Sequence, residues 1–282
     1  MRAPWKLLPL PSLALLAFST TALSTEADFG YACENCPAAW PELEIADNNC
    51  GGIEQSPIAL SDGDAEFTPR MRLRVRYHGA DLAEEIRLTN VEYKDQEPGG
   101  SVVRLGRARY AFDQFHFHST AEHVINGERS ALEMHFVNRA ANGAVLVLAV
   151  FITEGRQNAA FEPIVDVIDG PDVMFADEVE VELGDLLPED LASFRYTGST
   201  TTPPCTAGVN WVLLREHVEL SQDQIHAIQS AIRDGLNDGF NNNRPIQNRE
   251  LRPITTDSPA EVPPGYTAPE AEPPLDSQQS VR

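Results

Sequence analysis

The sequence predicts an α+β fold that is mainly β, with one large, mostly antiparallel sheet and short helices at its periphery. Several runs have the alternation or the β-branched composition of strands, and Asn-Gly pairs at 126–127 and 142–143 join successive runs by favoured hairpin turns. Only residues 222–236 repeat apolar side chains at clear helical spacing. No internal repeat or linker divides the chain, so we expect one large domain.

Residues 1–24 have the features of a secretory signal peptide. The start is basic (Arg2, Lys6), residues 7–18 are apolar, and small residues surround Ser24, where a signal peptidase would cut. An uncleaved anchor is the less favoured alternative, because the run is short for a bilayer and is interrupted by prolines. We therefore expect a secreted or periplasmic protein whose mature chain has no stable membrane span.

Four cysteines in an exported chain suggest disulfides. Cys33, Cys36, Cys50 and Cys205 allow three pairings, and the sequence alone does not choose between them. Cys33 and Cys36 have the spacing of a redox motif or of half a zinc site. No second such pair exists, so a four-cysteine zinc site is weakly supported and a local bridge is favoured.

The predicted strands share either a two-residue alternation of apolar and polar side chains or an unbroken β-branched run. In chain order they cover residues 71–77, 86–91, 102–105, 109–112, 114–118, 132–137, 145–152 and 209–215. The run from Val145 to Ile152 is apolar throughout, so we predict a central strand buried on both faces. Residues 102–105 and 109–112 are expected to pair as a hairpin across Gly106.

Two helices are predicted. A short helix covers residues 161–168. The clearer one covers residues 222–236 and begins with a capping box, in which Ser221 and Gln224 each bond to the other's backbone.

The composition of the chain changes near its end. From Pro253 the sequence is rich in proline, glutamate and small residues, so we expect 25–252 to be the folded domain and 253–282 a disordered tail.

The formal net charge of −22 argues against nucleic acid as a partner, because a phosphate backbone would be repelled.

Two histidines lie two residues apart in the predicted strand at 114–118. Side chains alternate faces along a strand, so His116 and His118 point to the same side, with Cα atoms about 7 Å apart. Both can reach one metal ion, and His135 on a neighbouring strand can supply a third nitrogen. Three histidines with an open position are the arrangement of a catalytic zinc site.

Two of these histidines have a polar residue two positions earlier on the same face. Gln114 precedes His116, and Glu133 precedes His135. Each polar side chain can accept a hydrogen bond from the ring nitrogen that does not bind the metal, which fixes the tautomer. The remaining histidines are expected to be packed or surface residues: His78, His123, His217 and His226.

A second metal-binding fold shares part of this pattern. His116, His118 and Glu122 have the spacing of the first cupin motif, in which the glutamate is a ligand. The second cupin motif, with its glycines, proline and later histidine, has no counterpart around His135. A cupin-type metalloenzyme is therefore the weaker alternative.

A series of short motifs runs in order from about residue 29 to residue 250. They are Phe29-Gly30-Tyr31, Gln55-Ser56-Pro57-Ile58, Asn90-Val91-Glu92-Tyr93, Gln114-Phe115-His116-Phe117-His118, Glu122-His123, Glu133-Met134-His135-Phe136-Val137, Gly198-Ser199-Thr200-Thr201-Thr202-Pro203-Pro204, Trp211 and Asn242-Asn243-Arg244-Pro245. In these motifs the chain resembles the α-class carbonic anhydrases, and the fourth and seventh motifs are highly specific. The resemblance implies their fold, a large twisted sheet with short peripheral helices.

The resemblance also implies roles for individual residues. His116, His118 and His135 match the zinc ligands. Thr201 matches the threonine that accepts a hydrogen bond from zinc-bound hydroxide and donates its own proton to the glutamate that matches Glu122.

Further matches concern the substrate and the support of the site. The Thr201 backbone N–H and Thr202 match contacts to bicarbonate, and Asn242 matches the residue whose backbone carbonyl orients His118. A bridge between Cys50 and Cys205 matches one found in exported members. The apolar wall on which carbon dioxide rests is matched by Val137, Val147, Val209 and Trp211.

The implied activity is the reversible hydration of carbon dioxide to bicarbonate and a proton, by attack of zinc-bound hydroxide. The family's proton-shuttle histidine falls at Arg87 when residues are counted back from Asn90, and arginine cannot cycle a proton near neutral pH. We therefore expect slow proton transfer. The family's leucine before the threonine pair is Thr200, which makes that wall more polar. An inactive carbonic-anhydrase-like binding module is the alternative, disfavoured because such modules generally lose a zinc histidine.

Overall fold

The computed structural model describes residues 29–32, 35–68, 72–87, 90–96, 100–168 and 178–258. The predicted signal peptide, Cys33 and residues 259–282 lie outside these ranges. The strands in the described part are β1 (Ala59–Leu60), β2 (Ala65–Phe67), β3 (Leu73–Arg76), β4 (Gly79–Arg87), β5 (Asn90–Asp95), β6 (Val102–Leu105), β7 (Ala108–Ser119), β8 (Val124–Ile125), β9 (Leu132–Arg139), β10 (Val145–Glu154), β11 (Glu178–Glu182), β12 (Ser193–Ser199), β13 (Ala207–Leu214), β14 (Val218–Leu220) and β15 (Ile254–Thr256).

The helices are short and few, as predicted. They are α1 (Glu162–Ile168), preceded by a 3-10 turn at Ala159–Phe161, and α2 (Gln222–Ser230), which continues as a π-helical segment at Ala231–Leu236. The predicted capping box is present, because Ser221 Oγ accepts from the Gln224 backbone N–H at 3.3 Å and the Gln224 side chain accepts from the Ser221 N–H at 3.2 Å. No helix in the described ranges is long and apolar enough to span a membrane.

One thirteen-stranded sheet dominates the molecule, in the order β11-β4-β5-β7-β9-β10-β13-β12-β15-β2, with β6 joining β3 to β7 and β14 beside β10. Strands linked by short turns pair antiparallel, including β6 with β7 across Gly106, whose φ is +59°. Three pairs within this sheet are parallel, namely β10 with β13, β10 with β14 and β15 with β2. The predicted mainly β, mostly antiparallel fold is confirmed, with parallel pairs where distant segments meet.

The strand predicted at residues 86–91 is wrong in one respect. Arg87 ends β4 and Asn90 begins β5, and these two residues face each other in an antiparallel pair. The segment therefore contains the end of one strand and the start of the next rather than a single strand. Its apolar and polar residues alternate weakly, so the pattern does not reveal that these are two antiparallel strands.

The central strand β10 organises the core. It pairs antiparallel with β9 and parallel with β13, and residues 146–152 are all buried. Leu146, Leu148 and Val150 join the apolar cluster that includes the helices, whereas Val147 and Ala149 join the cluster on the opposite face. Each of these leucine and valine side chains contributes about 1.5–3 kcal/mol when fully buried.

The folded domain extends beyond the predicted boundary at residue 252. Strand β15 pairs with both β12 and β2, and the carboxylate of Asp257 accepts from the Ser193 backbone N–H at 3.0 Å and binds the Arg195 guanidinium. Ile254 and Thr256 alternate onto the buried side. The predicted tail therefore starts too early, because prolines on both sides masked a three-residue strand.

Candidate metal centre

The register between β7 and β9 brings the three predicted histidines together. His116 lies directly opposite His135 in the antiparallel pair, and His118 lies two residues further along the same face of β7. One ligand nitrogen from each of the three rings lies within 4.8 Å of the others. This spacing suits one metal ion bound by three imidazoles.

Hydrogen bonds assign the ring nitrogens of His116 and His118. His116 Nδ1 donates to Gln114 Oε1 at 2.9 Å, and His118 Nδ1 donates to the Asn242 backbone carbonyl at 2.8 Å. Both Nε2 atoms are left to face the centre. Nε2 of His118 is buried and has no hydrogen-bond partner among the described residues, which makes it suitable for binding a metal.

The third ring uses its other nitrogen. His135 Nε2 donates to Glu133 Oε1 at 2.6 Å, which leaves Nδ1 for the centre. Glu133 comes from the same strand two residues earlier, so strand alternation alone aims both side chains at one side.

Burial keeps the three imidazoles neutral. It lowers the pKa of His118 to about 4 and also lowers the pKa of His135. It lowers the pKa of His116 well below its usual value, and the neighbouring rings of His118 and His135 add to the effect. A neutral imidazole is the metal-binding form, so no proton has to be displaced at neutral pH.

A second close group, His123 with Glu133 and His135, is a satisfied hydrogen-bond network. One carboxylate oxygen of Glu133 accepts from His135 Nε2 at 2.6 Å and from His123 Nδ1 at 2.7 Å, and the other accepts the backbone N–H groups of Glu122 and His123 at 2.8 Å each. Burial raises the pKa of Glu133, but the two imidazoles and their hydrogen bonds outweigh it and hold the pKa well below the usual value. The carboxylate is therefore ionised and fully engaged.

This network continues away from the candidate metal centre. Ionised Glu133 can only accept, so His123 donates to it through Nδ1, and His123 Nε2 shares a hydrogen bond of 2.7 Å with the Tyr196 hydroxyl. Burial raises the pKa of Tyr196, which keeps that hydroxyl protonated. Tyr196 also shares a hydrogen bond of 2.7 Å with Ser56 Oγ, and Ser56 Oγ accepts from the Ser199 backbone N–H at 3.1 Å.

The Ser56 contact requires a glycine in the adjoining strand. A Cβ atom at Gly198 would lie 2.1 Å from Ser56 Oγ, which is a severe clash. The sequence motifs contain Ser56 and Gly198, but the sequence alone indicated no role for them and no role for Tyr196. The presence of Ser56 and Gly198 in recognisable motifs was the only signal in the sequence.

Thr201 and Glu122 lie beside the three histidines. Glu122 is fully buried, its Oε1 accepts the Arg244 backbone N–H at 2.8 Å, and its Oε2 lies 3.6 Å from His118 Nε2. Burial raises the pKa of Glu122 to about 7, while the Thr201 hydroxyl and the Arg244 backbone N–H act to lower it. Oε2 of Glu122 is buried without a hydrogen-bond partner among the described residues, and Thr201 lies close to this carboxylate.

Arg244 connects Glu122 to the amino-terminal part of the domain. Its guanidinium is buried and donates to Gln55 Oε1 and the Ser56 carbonyl at 2.7 Å each and to the Cys50 carbonyl at 3.0 Å. Burial lowers its pKa to about 10, so it remains charged. The motif at residues 242–245 identified this region, but the sequence did not indicate that Arg244 connects Glu122 to the amino-terminal part of the domain.

A disulfide joins Cys50 to Cys205, so this predicted pairing is confirmed. The Cys205 backbone N–H donates to the Thr202 carbonyl at 2.9 Å, which ties the bridge to the threonine loop. Thr200 Oγ1 donates to the same carbonyl at 3.1 Å. Because Cys33 lies outside the described residues, a bridge to Cys36 stays a prediction.

An open cavity of about 640 Å³ leads from the surface to the histidines. One wall is apolar and includes Val137, Val147 and Trp211, and the loop Thr200–Thr202 borders it. Val209 is buried in the same apolar cluster but does not line the cavity. The lining also includes polar and charged residues, which are Asn90, Glu92, Lys94, Asp113, Gln114 and Arg139.

The described cavity lining contains His116 and His135 and no further histidine. The side chain of Arg87 lies outside the described residues, but its backbone pairs with Asn90, which lines the cavity. The position predicted for a proton shuttle is thus at the edge of the cavity.

Comparison with known proteins gives matches over the whole described domain. Residues 35–258 match the model of the family described as eukaryotic-type carbonic anhydrase. The chain is 30% identical over 247 residues to a carbonic anhydrase from Neisseria gonorrhoeae (86% of this chain, 93% of that protein). It is 33% identical over 261 residues to dioscorin DB3S from Dioscorea polystachya (88% and 93%). A solved complex of an α-carbonic anhydrase from Thermovibrio ammonificans with the inhibitor sulfanilamide has a TM-score of 0.74 at 31% identity, over 81% of this chain and 99% of that one.

Proposed function

Because the chain belongs to the eukaryotic-type, or α-class, carbonic anhydrase family, we propose that it catalyses the reversible hydration of carbon dioxide to bicarbonate and a proton. The proposal places a zinc ion between His116, His118 and His135. The observation that carries it concerns the nitrogens of three neutral imidazole rings. In each ring one nitrogen is hydrogen-bonded to a neighbouring residue, and the other faces the common centre.

This donor set suits zinc. Three imidazoles with a fourth position open to a cavity are the ligands of a catalytic zinc site. Zinc, when bound, supplies a Lewis acid that lowers the pKa of a coordinated water to about 7, an effect for which carbonic anhydrase is itself the standard example.

Thr201 and Glu122 orient the nucleophile in this proposal. Glu122 accepts the Thr201 proton, so the hydroxyl oxygen of Thr201 presents its lone pairs to the centre and accepts only from a group that carries a proton. A cation at the histidines favours the ionised form of Glu122, which this role needs. Arg244 holds the carboxylate in place through its backbone N–H.

The apolar wall holds the neutral substrate. Val137, Val147 and Trp211 face the cavity next to His135, and carbon dioxide has no hydrogen-bond donor to satisfy there. The Thr201 backbone N–H and Thr202 border the same space and would contact bicarbonate. Val209 supports this wall from within the apolar cluster.

We propose that the protein is exported. Residues 1–24 supply the signal peptide, and the Cys50–Cys205 disulfide belongs to an oxidising compartment. Removal of the leader leaves a net charge of −24, because it carries two basic residues and no acidic one.

Metal analysis combined with a carbon dioxide hydration assay tests the function. The purified protein should bind one zinc per chain and hydrate carbon dioxide. His118→Ala should lose both properties, whereas His226→Ala, an exposed histidine in α2, should keep both. Stoichiometric zinc in His118→Ala would contradict the ligand assignment.

A binding module without turnover is the second candidate. It is kept because one relative, at 33% identity, is named a dioscorin and not a carbonic anhydrase. Bound zinc without hydration at any pH would favour this candidate over the enzyme.

A further inference from the structure

Strand β7 contains a one-residue bulge just before the histidines. Phe112 pairs with Asn138 and Gln114 pairs with Val137, so Asp113 is an extra residue opposite no partner. Phe112 lies in the apolar core, and both Gln114 and Asp113 line the cavity. A bulge beside a site commonly re-aims a side chain, and here it aims a carboxylate into the cavity.

The carboxylate of Asp113 meets a cation from the neighbouring strand. Arg139 Nε lies 2.6 Å from Asp113 Oδ2. His135, Val137 and Arg139 occupy the same face of β9, so Arg139 is about 13 Å along the strand from the candidate zinc ligand. His135 is the floor of the cavity, Val137 its wall and Arg139 its rim.

Two further charges lie on the same wall. Glu92 and Lys94 face the cavity from β5, and Lys94 is opposite Gln114 in the pairing of β5 with β7. The cavity wall therefore has two cations and two anions in a chain whose net charge is −22. A small anion meets a less repulsive potential here than over the acidic surface as a whole.

We propose that the Asp113–Arg139 pair is an anion-selectivity element at the cavity mouth: Arg139 docks a small oxyanion, and Asp113 competes with the anion for that guanidinium. The inference rests on the proposed function, in which the oxyanion is bicarbonate. A guanidinium suits it because its N–H groups match the two oxygens of a carboxylate-like anion.

The exposure of the pair supports exchange between partners. The Arg139 side chain is 57% exposed and that of Asp113 is 26% exposed. An ion pair this open to water is weak, so an incoming anion displaces Asp113 from Arg139 at little cost. The bulge keeps Asp113 close enough to rebind when the anion leaves.

Kinetics in both directions test the proposal. Asp113→Asn should lower the KM for bicarbonate about threefold, and Arg139→Gln should raise it about threefold, as expected for one unit charge several ångströms away near the surface. The KM for carbon dioxide should not change, because that substrate is neutral. Arg139→Lys keeps the charge but loses the two-pronged contact, so it should raise the KM for bicarbonate less than Arg139→Gln does. Raising the salt concentration to about 1 M should remove these differences, since screening then acts over about 3 Å.

The matched control is Glu219→Gln. Glu219 forms an exposed ion pair with Arg156 at 3.6 Å, and its strand meets β10 at Thr153, about 27 Å from Val145 at the cavity rim. The Glu219→Gln substitution changes the net charge by the same amount as Asp113→Asn. If Glu219→Gln shifts the bicarbonate KM as Asp113→Asn does, bulk charge is the cause and the proposal is wrong.

A second readout does not depend on activity. The affinity of the zinc-free protein for bicarbonate, measured by calorimetric titration, should increase about threefold in Asp113→Asn and decrease about threefold in Arg139→Gln, with Glu219→Gln unchanged. The same order of affinities in a protein without hydration activity would support the anion site and reject the proposed function. Equal affinities in the unchanged protein, Asp113→Asn and Arg139→Gln would overturn the inference.

Discussion

Tyr196 and His123 share a buried hydrogen bond of 2.7 Å between the phenol oxygen and Nε2 of the ring. Nδ1 of the same ring donates to Glu133, because that carboxylate is ionised and can only accept. Both ring nitrogens of His123 are thus engaged, and through Glu133 this ring bears on the orientation of His135.

Tyr196→Phe should destabilise the protein by about 1–3 kcal/mol, because it leaves His123 Nε2 buried without a hydrogen-bond partner and removes a partner of Ser56 Oγ. Urea unfolding measures the change. Tyr110→Phe is the control, since the Tyr110 hydroxyl makes no hydrogen bond to a described residue. Equal stability of the two variants would show that the hydroxyl of Tyr196 contributes nothing.

Glu133→Gln should weaken zinc binding by about 10- to 100-fold, the usual effect of removing a group that orients a ligand histidine. An amide has one acceptor oxygen in place of two, so it cannot accept all four N–H groups that converge on Glu133. Competition with a chelator gives the affinity. Glu128→Gln, an exposed glutamate, should bind zinc normally. Unchanged affinity in Glu133→Gln would rule out this role.

The metal-free protein should lose stability as the pH falls from about 6.5 towards 4. Burial lowers the pKa of His118 to about 4 from 6.5, so in this window the unfolded chain binds a proton that the folded chain does not, and the free energy of unfolding falls with pH. His116 and His135 act in the same direction.

Glu122 opposes this trend, and its removal provides the control. Its pKa is raised to about 7 from 4.5, so between these values the folded chain binds the extra proton and stability rises as the pH falls. Glu122→Gln should therefore steepen the acid decline. Urea unfolding midpoints, measured from pH 7.5 to 4.5 with a metal chelator present, give the pH dependence of stability for both proteins. A shallower loss of stability with falling pH in Glu122→Gln would contradict the predicted contribution of Glu122.

The double variant Cys50→Ser/Cys205→Ser should lose roughly 3–5 kcal/mol, because the bridge closes a loop of 155 residues in the unfolded chain. Guanidinium unfolding under oxidising conditions measures the loss. Reduced wild-type protein is the comparison, and any further loss there reports a second bridge between Cys33 and Cys36. A double variant as stable as the wild type would contradict the prediction.

Hydration should be slow in dilute buffer and should rise with imidazole concentration, because no histidine other than the proposed ligands lines the described cavity. Arg87→His should reduce this dependence, since imidazole titrates near neutral pH. Arg87→Lys keeps the charge and should behave like the wild type. Fast turnover that is independent of buffer in the unchanged protein would show that another group transfers the proton.

The sequence by itself determined the strands, the hairpin turns and the histidine positions, because these depend on local rules. Strand alternation places His116 and His118 on one face wherever the strand lies, and Ser221 with Gln224 caps α2 by contacts three residues apart. The weak points were also local. Residues 86–91 contain the end of β4 and the start of β5 rather than one strand, and neighbouring prolines obscured β15 in the sequence.

Only the tertiary structure decided what supports and surrounds the site. Arg244 reaches Glu122 across 122 residues and Ser56 across 188, and Tyr196 reaches His123 across 73. The bulge that turns Asp113 towards Arg139 exists only in the pairing of β7 with β9. Such contacts depend on the register between distant strands, and a period of two residues fixes the face of a side chain but not the partner it meets there.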